Sequence, residues 1–184
     1  MSRIGRLPIV LPQGVKVSVK DNEVTVTGPK GELKQSLNEG ISVALSDNKL
    51  IVSRSGDERK IRALHGLIRS LLANMVTGVT KGFQKDLEVV GVGYRVQLAG
   101  KNIVLRAGYS HQIEVEPLAG ITLGVEGTNK IKVSGMNKET VGQMAAKIRG
   151  IKPVDDFKGK GIKYAGEVIK LKAGKTGKAI GSKT

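Results

Sequence analysis

The feature that most constrains this chain is that it repeats itself at a spacing of about eighty residues. Asn22-Glu23-Val24-Thr25-Val26-Thr27-Gly28 reads beside Asn102-Ile103-Val104-Leu105-Arg106-Ala107-Gly108. Leu33, Gly40 and Ile41 find counterparts in Ile113, Gly120 and Ile121. After one extra residue, Lys49-Leu50-Ile51-Val52-Ser53 matches Lys130-Ile131-Lys132-Val133-Ser134. The helical stretches that follow end in Ile68-Arg69 and Ile148-Arg149. Two copies of one small domain account for 184 residues economically, and a repeat of two is not a solenoid.

Each copy reads as short strands followed by one helix. In the first, Val15, Val17 and Val19 alternate with polar residues, Asp21-Asn22 turns the chain, and Val24 and Val26 alternate again. Ile41, Val43 and Leu45, then Asp47-Asn48, then Leu50 and Val52 predict a second hairpin. Ser55 and Glu58 have capping-box spacing. They precede an apolar stripe of Ile61, Leu64, Leu67, Ile68, Leu71, Leu72, Met75 and Val76, which is expected to pack on the sheet. In the second copy, strands are predicted near 87–90, 94–98, 103–106, 112–116, 121–125 and 131–133. Asn137 can cap a helix that buries Val141, Met144, Ala145 and Ile148. Strand runs closed by a single helix predict an α+β fold of two similar small domains, each a mainly antiparallel sheet with a helix on it. The expected division is 1–82, 83–157 and a basic C-terminal extension, 158–184, with the domain boundary near Gly82-Phe83-Gln84.

Composition narrows the chemistry. The chain has no Cys, which excludes disulfides and thiolate metal sites and fits a reducing, cytoplasmic setting. Aromatics make up 3% of residues, so the cores must be aliphatic. No apolar run reaches the length of a membrane span, and Met1 to Val10 lacks a signal peptide's apolar stretch. Glycine-rich stretches invite a nucleotide reading but do not support it. Gly91-Val92-Gly93 starts like a dinucleotide fingerprint, yet Val96 stands where the third glycine belongs. Gly174-Lys175-Thr176 ends like a P-loop, yet Ile169 occupies its first glycine. The two histidines, His65 and His111, fall in different copies with no ligand cluster beside them, so no metal or cofactor is expected. His65 is expected on the polar flank of the first helix, at the surface or in packing between the domains. Asp155-Asp156 reads as a pair of solvated loop acids. Nothing in the sequence supports catalysis or a small-molecule substrate.

Charge is concentrated at the ends. Of the formal net charge of +15, residues 1–20 carry +4 and residues 141–184 carry +8, from eleven basic and three acidic side chains. The stretch Lys158–Thr184 holds eight lysines and one acid, Glu167, with six glycines among them. A segment so basic and so pliable is expected to need a polyanion, and nucleic acid is the first candidate. Within it, Lys158-Gly159-Lys160-Gly161-Ile162-Lys163-Tyr164 combines cationic heads with glycines that let the backbone come close to phosphate, and Phe157 and Tyr164 offer rings that stack on unpaired bases.

These residues also carry a resemblance. The series Met1-Ser2-Arg3-Ile4-Gly5, Gly28-Pro29-Lys30-Gly31, His65-Gly66, Asn74-Met75-Val76-Thr77-Gly78-Val79, Gly91-Val92-Gly93-Tyr94-Arg95, Ser110-His111, Val141-Gly142-Gln143 and Lys158 to Tyr164, in that order, closely resembles the bacterial large-subunit ribosomal protein six family over essentially the whole chain. The resemblance implies two duplicated α+β domains and a structural, non-enzymatic role on the ribosome. It implies binding to large-subunit rRNA near the sarcin–ricin loop and the stalk base, beside neighbouring ribosomal proteins and away from any membrane. Carried onto this sequence, it points to Lys158, Lys160, Lys163 and Tyr164, with Lys170, Lys172, Lys175 and Lys178 beyond them. Tyr94, Arg95, Ser110 and His111 join from turns of the second domain, and Arg3 and Arg6 from the chain's start. One departure stands out: the family commonly has Pro and Tyr before Lys-Gly-Lys-Gly, where this chain has Asp156 and Phe157. Phe keeps the ring without the hydroxyl, loss of the Pro is expected to loosen the loop, and an acid there is expected to repel phosphate. Two other readings remain open on the residues alone: an enzyme acting on RNA or nucleotides, and a protein scaffold whose tail docks on acidic partners.

Overall fold

A computed structural model describes residues 3–20, 22–46 and 48–174. They form two compact units, the residues up to Phe83 with Met136–Lys138, and Gln84–Gly135 with the residues from Glu139 onward. Both are α+β, with one helix packed on antiparallel sheets.

The first unit runs β1 (Ile9–Val10), β2 (Lys16–Lys20), β3 (Glu23–Gly28), β4 (Gly31–Ser36), β5 (Ile41–Ser46), β6 (Lys49–Arg54) and α1 (Arg59–Thr80). It has two sheets rather than one, ordered β2-β3-β4 and β1-β6-β5. Val24 and Val26 alternate inward along β3 as their period-two pattern requires, and meet Ile68, Leu72 and Val79 of α1 in an aliphatic core. The β5–β6 turn places Asn48 at φ 62°, a left-handed conformation that Asn tolerates better than most residues. Its side-chain amide donates to the Leu11 carbonyl at 2.9 Å, and Leu11 N–H donates back to the Asn48 carbonyl at 3.0 Å. The turn Gly28-Pro29-Lys30-Gly31 serves the end of α1. Lys30 N–H donates to the Val79 carbonyl at 3.0 Å and its ammonium donates to the Lys81 carbonyl, so a cation meets the negative end of the helix.

Four expectations for this unit are corrected. The helix does not end at Ile68-Arg69 but runs on to Thr80, past the apolar stripe that reaches Val76. The Ser55–Glu58 capping box does not form: α1 starts at Arg59 with Glu58 as N-cap and no side-chain cap bond, because Ser55 is tied by its amide to Gly40 at the exit of the hairpin. Leu67 is half exposed rather than part of the buried stripe. His65 is not on a polar flank. It is buried, with Nε2 donating to the Val52 carbonyl at 2.9 Å, and a side chain at Gly5 would overlap its ring. The absent Cβ of Gly5 is what lets an imidazole sit inside.

The second unit runs β7 (Phe83–Val90), β8 (Arg95–Ala99), β9 (Asn102–Arg106), β10 (Ile113–Val115), β11 (Ile121–Glu126), β12 (Lys130–Gly135), α2 (Lys138–Ile151) and β13 (Gly161–Tyr164). Its sheets are ordered β10-β9-β8 and β11-β12-β7-β13. Aligned by the repeat, β7, β12 and β11 stand where β1, β6 and β5 stand in the first unit. β13 has no counterpart among the described residues of the first unit. It pairs antiparallel with β7, Gly161 opposite Val90 and Tyr164 opposite Leu87. Ile162 is fully buried with Leu87, Ile131, Met144 and Ile148. Four residues of the lysine-rich stretch are thus a strand of the second sheet, which its composition did not predict.

Truncating that strand's buried side chain tests this arrangement. Ile162→Ala is expected to destabilise the second unit by about 2–5 kcal/mol, read from urea unfolding. A loss below about 0.5 kcal/mol, typical of surface changes, would contradict a structural β13.

Candidate nucleic-acid interface

The basic signature is shaped by two glycines. At Gly161, φ is +146° and a Cβ would lie 2.6 Å from the Pro153 carbonyl oxygen and the Val154 Cα, so only glycine lets the incoming strand pass the loop before it. Gly159, at φ +67°, turns the chain, its N–H donating to the Asp155 carbonyl at 2.9 Å. Asp155 N–H reaches the Lys160 carbonyl at 2.9 Å, and Lys158 N–H donates to the Asp155 carboxylate at 2.9 Å. Asp155 is exposed, as expected of a loop acid, and it also organises the loop through its carboxylate and main chain.

The loop's lysines are not equivalent. Lys158 is exposed and Lys160 half-buried, and neither head is engaged in an ion pair, among the described residues. Lys163 sits across β13 from β7 and pairs with Glu88 at 3.4 Å. Lys172 pairs with Asp156 at 2.7 Å, and its N–H donates to the Asp156 carbonyl at 2.8 Å. The acid that departs from the family pattern thus has its charge matched by Lys172 and holds the following segment, where loosening and repulsion of phosphate were expected. Phe157 is exposed, its ring open to a partner. Tyr164, by contrast, is half-buried, with the Arg149 guanidinium 5.6 Å and the Lys85 ammonium 5.9 Å from its ring centre.

Main-chain pairing brings other predicted residues to the same end of this unit. The pairing of Val90 with Gly161 sets the loop Gly91–Tyr94 beside the signature. Tyr94 lies over two glycines: a Cβ at Gly91 or at Gly108 would come within 2.9 Å of its side chain. Val92, at the loop's tip, is exposed. The turn carrying Ser110 and His111 is attached through Tyr109, whose hydroxyl donates to the Ile151 carbonyl at 2.8 Å while Lys152 stands 4.7 Å over its ring. Ile162 N–H donates to the Lys152 carbonyl at 2.8 Å, closing the group. Ser110, His111 and Arg95 are exposed there, with the His111 ring 5.9 Å from that of Tyr109. Arg3 and Arg6 belong to the first unit, where both are exposed. Lys175 and Lys178 lie outside the described residues. Sequence reasoning missed Arg149, Lys152 and Lys85; only the cluster of cations near α2's end hinted at the first two.

Among the described residues no cluster of His, Cys, Asp or Glu could hold a metal, and no helix is long and apolar enough to cross a membrane.

The sequence model of a family described as Ribosomal protein L6 matches twice, over residues 11–82 and 90–165, one match to each repeat. The chain belongs to the ribosomal protein L6 family. Proteins named large ribosomal subunit protein uL6 are similar along its length. That of Geobacillus stearothermophilus is 58% identical over 178 residues, covering 97% of this chain and 100% of the relative. That of Thermoanaerobacter sp. (strain X514) is 54% identical, covering 97% and 99%, and that of Thermomicrobium roseum is 52% identical, covering all of both chains. Family membership makes this a structural ribosomal protein of the large subunit, not an enzyme. The second family match ends at residue 165, just past β13, so Lys170 and Lys172 lie beyond it.

The segment after β13 is pinned by Glu167. Its carboxylate takes two bonds from Arg149, Nη2 to Oε1 at 2.7 Å and Nε to Oε2 at 3.3 Å, and a third from Tyr164 N–H at 3.0 Å. The Arg149 bonds, then the Tyr164 amide, hold this carboxyl below the ordinary glutamate range. A depressed folded value means that the group's contribution to stability is present above the ordinary range and is lost as pH falls through the depressed value. Carboxyl-carbon NMR is expected to show Glu167 titrating below an unstructured glutamate, and Arg149→Leu is expected to return it toward the ordinary value. An ordinary titration in the wild type would contradict the geometry.

Proposed function

We propose that this protein binds large-subunit rRNA near the sarcin–ricin loop and the base of the stalk, bracing the region where translation factors dock. One observation carries the reading: exposed cations without an ion-pair partner among the described residues, Lys158 foremost, share one end of the second unit with glycine-shaped backbone and the exposed ring of Phe157. Such a surface suits phosphate and backbone geometry more than base edges, which is how folded RNA is mostly recognised. Lys158 and Lys160 neutralise phosphates, His111, Ser110 and Arg95 extend the contact from adjoining turns, and Lys170 continues it. Lys163 and Lys172 contribute less, because Glu88 and Asp156 already match their charge. Tyr164 acts from within, as packing for Arg149, instead of stacking on a base. Arg3, Arg6, Lys175 and Lys178 add long-range attraction, and neighbouring ribosomal proteins meet the remaining faces.

Binding to a large-subunit rRNA fragment that contains the sarcin–ricin loop, measured across salt, tests the assignment. Each phosphate contact contributes about −0.7 to −0.9 to the slope of log affinity against log salt. Lys158→Ala with Lys160→Ala is expected to flatten that slope by about 1.5, and Lys163→Ala by well under about 0.7. Equal effects at the paired and unpaired lysines would contradict the division drawn here.

A further inference from the structure

We propose that Glu167, the one acid among the basic residues from Lys158 onward, is a positioning residue that fixes the course of the segment carrying Lys170. The inference rests on the RNA-binding reading above. An acid inside a cationic, phosphate-facing segment should weaken binding if charge alone mattered. Here its carboxylate is committed inward. It bridges the end of α2, through two Arg149 nitrogens, to the main chain of β13, through Tyr164 N–H. Glu167 N–H returns a bond to the Tyr164 carbonyl at 3.0 Å, closing a tight turn, and Ala165 N–H donates to the Asp86 carbonyl at 2.9 Å, fastening that turn to the middle of β7. The guanidinium so oriented also lies against the Tyr164 ring.

A second fastening follows five residues later, where Asp156 receives both the amide and the ammonium of Lys172. That pair is exposed and is weak by itself. The Glu167 bridge is bidentate and partly buried, so it is the stronger of the two. Between them the chain from Ala165 to Lys172 has a fixed course over the second unit, with Lys170 presented outward. Binding then spends less conformational entropy on ordering these residues.

Glu167→Gln separates this from simple charge. The substitution adds one unit of positive charge, so an acid that merely repels phosphate would, when removed, give tighter binding. Positioning predicts the opposite: affinity for the rRNA fragment falls by about fivefold at moderate salt, with the salt slope unchanged because no phosphate contact is deleted. Amide exchange across residues 164–172 of the free protein is expected to quicken by about tenfold. Arg149→Lys, which keeps the charge and loses the fork, is expected to act in the same direction on both readouts. Tighter or unchanged binding by Glu167→Gln would overturn the proposal, as would unchanged exchange. If the wild-type protein failed to bind the fragment at all, the RNA reading would fall and the positioning role with it, while the exchange data would still show whether the bridge exists.

Discussion

The pairing of β13 with β7 is the interaction on which the candidate interface depends. It takes four residues from a run of lysines and glycines and holds them in register against Leu87–Val90. Burial of Ile162 supplies the hydrophobic term, and removal of an open edge on β7 the polar one. Everything on either side inherits that fixed point. The loop from Pro153 to Lys160 closes onto it through Asp155 and the two positive-φ glycines, and the segment that follows is fastened by Glu167. The cationic end of the second unit is therefore a built surface with defined side-chain positions.

The lysines on that surface differ in what they already touch. A lysine matched by a carboxylate within the protein must give up that partner, or share it, to gain from a phosphate; an unmatched one gains the whole interaction. Lys163 and Lys172 belong to the first kind, Lys158 to the second. Net charge, which treats all of them alike, accounts for attraction to a polyanion over distance but does not distinguish one lysine from another as a close contact. The same distinction explains how Asp156 can stand beside the proposed phosphate-binding loop: its charge is answered by Lys172.

Much of this was legible in the chain. The eighty-residue repeat and the alternation in β2, β3, β5 and β6 gave the duplicated α+β fold, because one buried sheet face imposes a local period of two. What escaped were features set by distant residues. In β4, only Leu33 interrupts a polar run, and β13 shows one aliphatic side chain among lysines; each is a strand because of its neighbour's edge. His65 looks like a surface residue of α1 until Gly5, sixty positions earlier, leaves room for its ring. Ser55 has the right spacing for a cap, yet Gly40 holds it elsewhere. For the interface, sequence identified the basic cluster but not which cations were already paired, since Glu88, Asp156 and Arg149 act across folds of the chain.

Hydroxyl-radical footprinting of the full chain on large-subunit rRNA decides whether Lys158 and Lys160 are held against one region of that RNA. Protection confined to the neighbourhood of the sarcin–ricin loop and the stalk base, and lost when Lys158 and Lys160 are both replaced by Ala, is the predicted result. Protection scattered along the RNA, or a footprint that survives that double substitution, would contradict it.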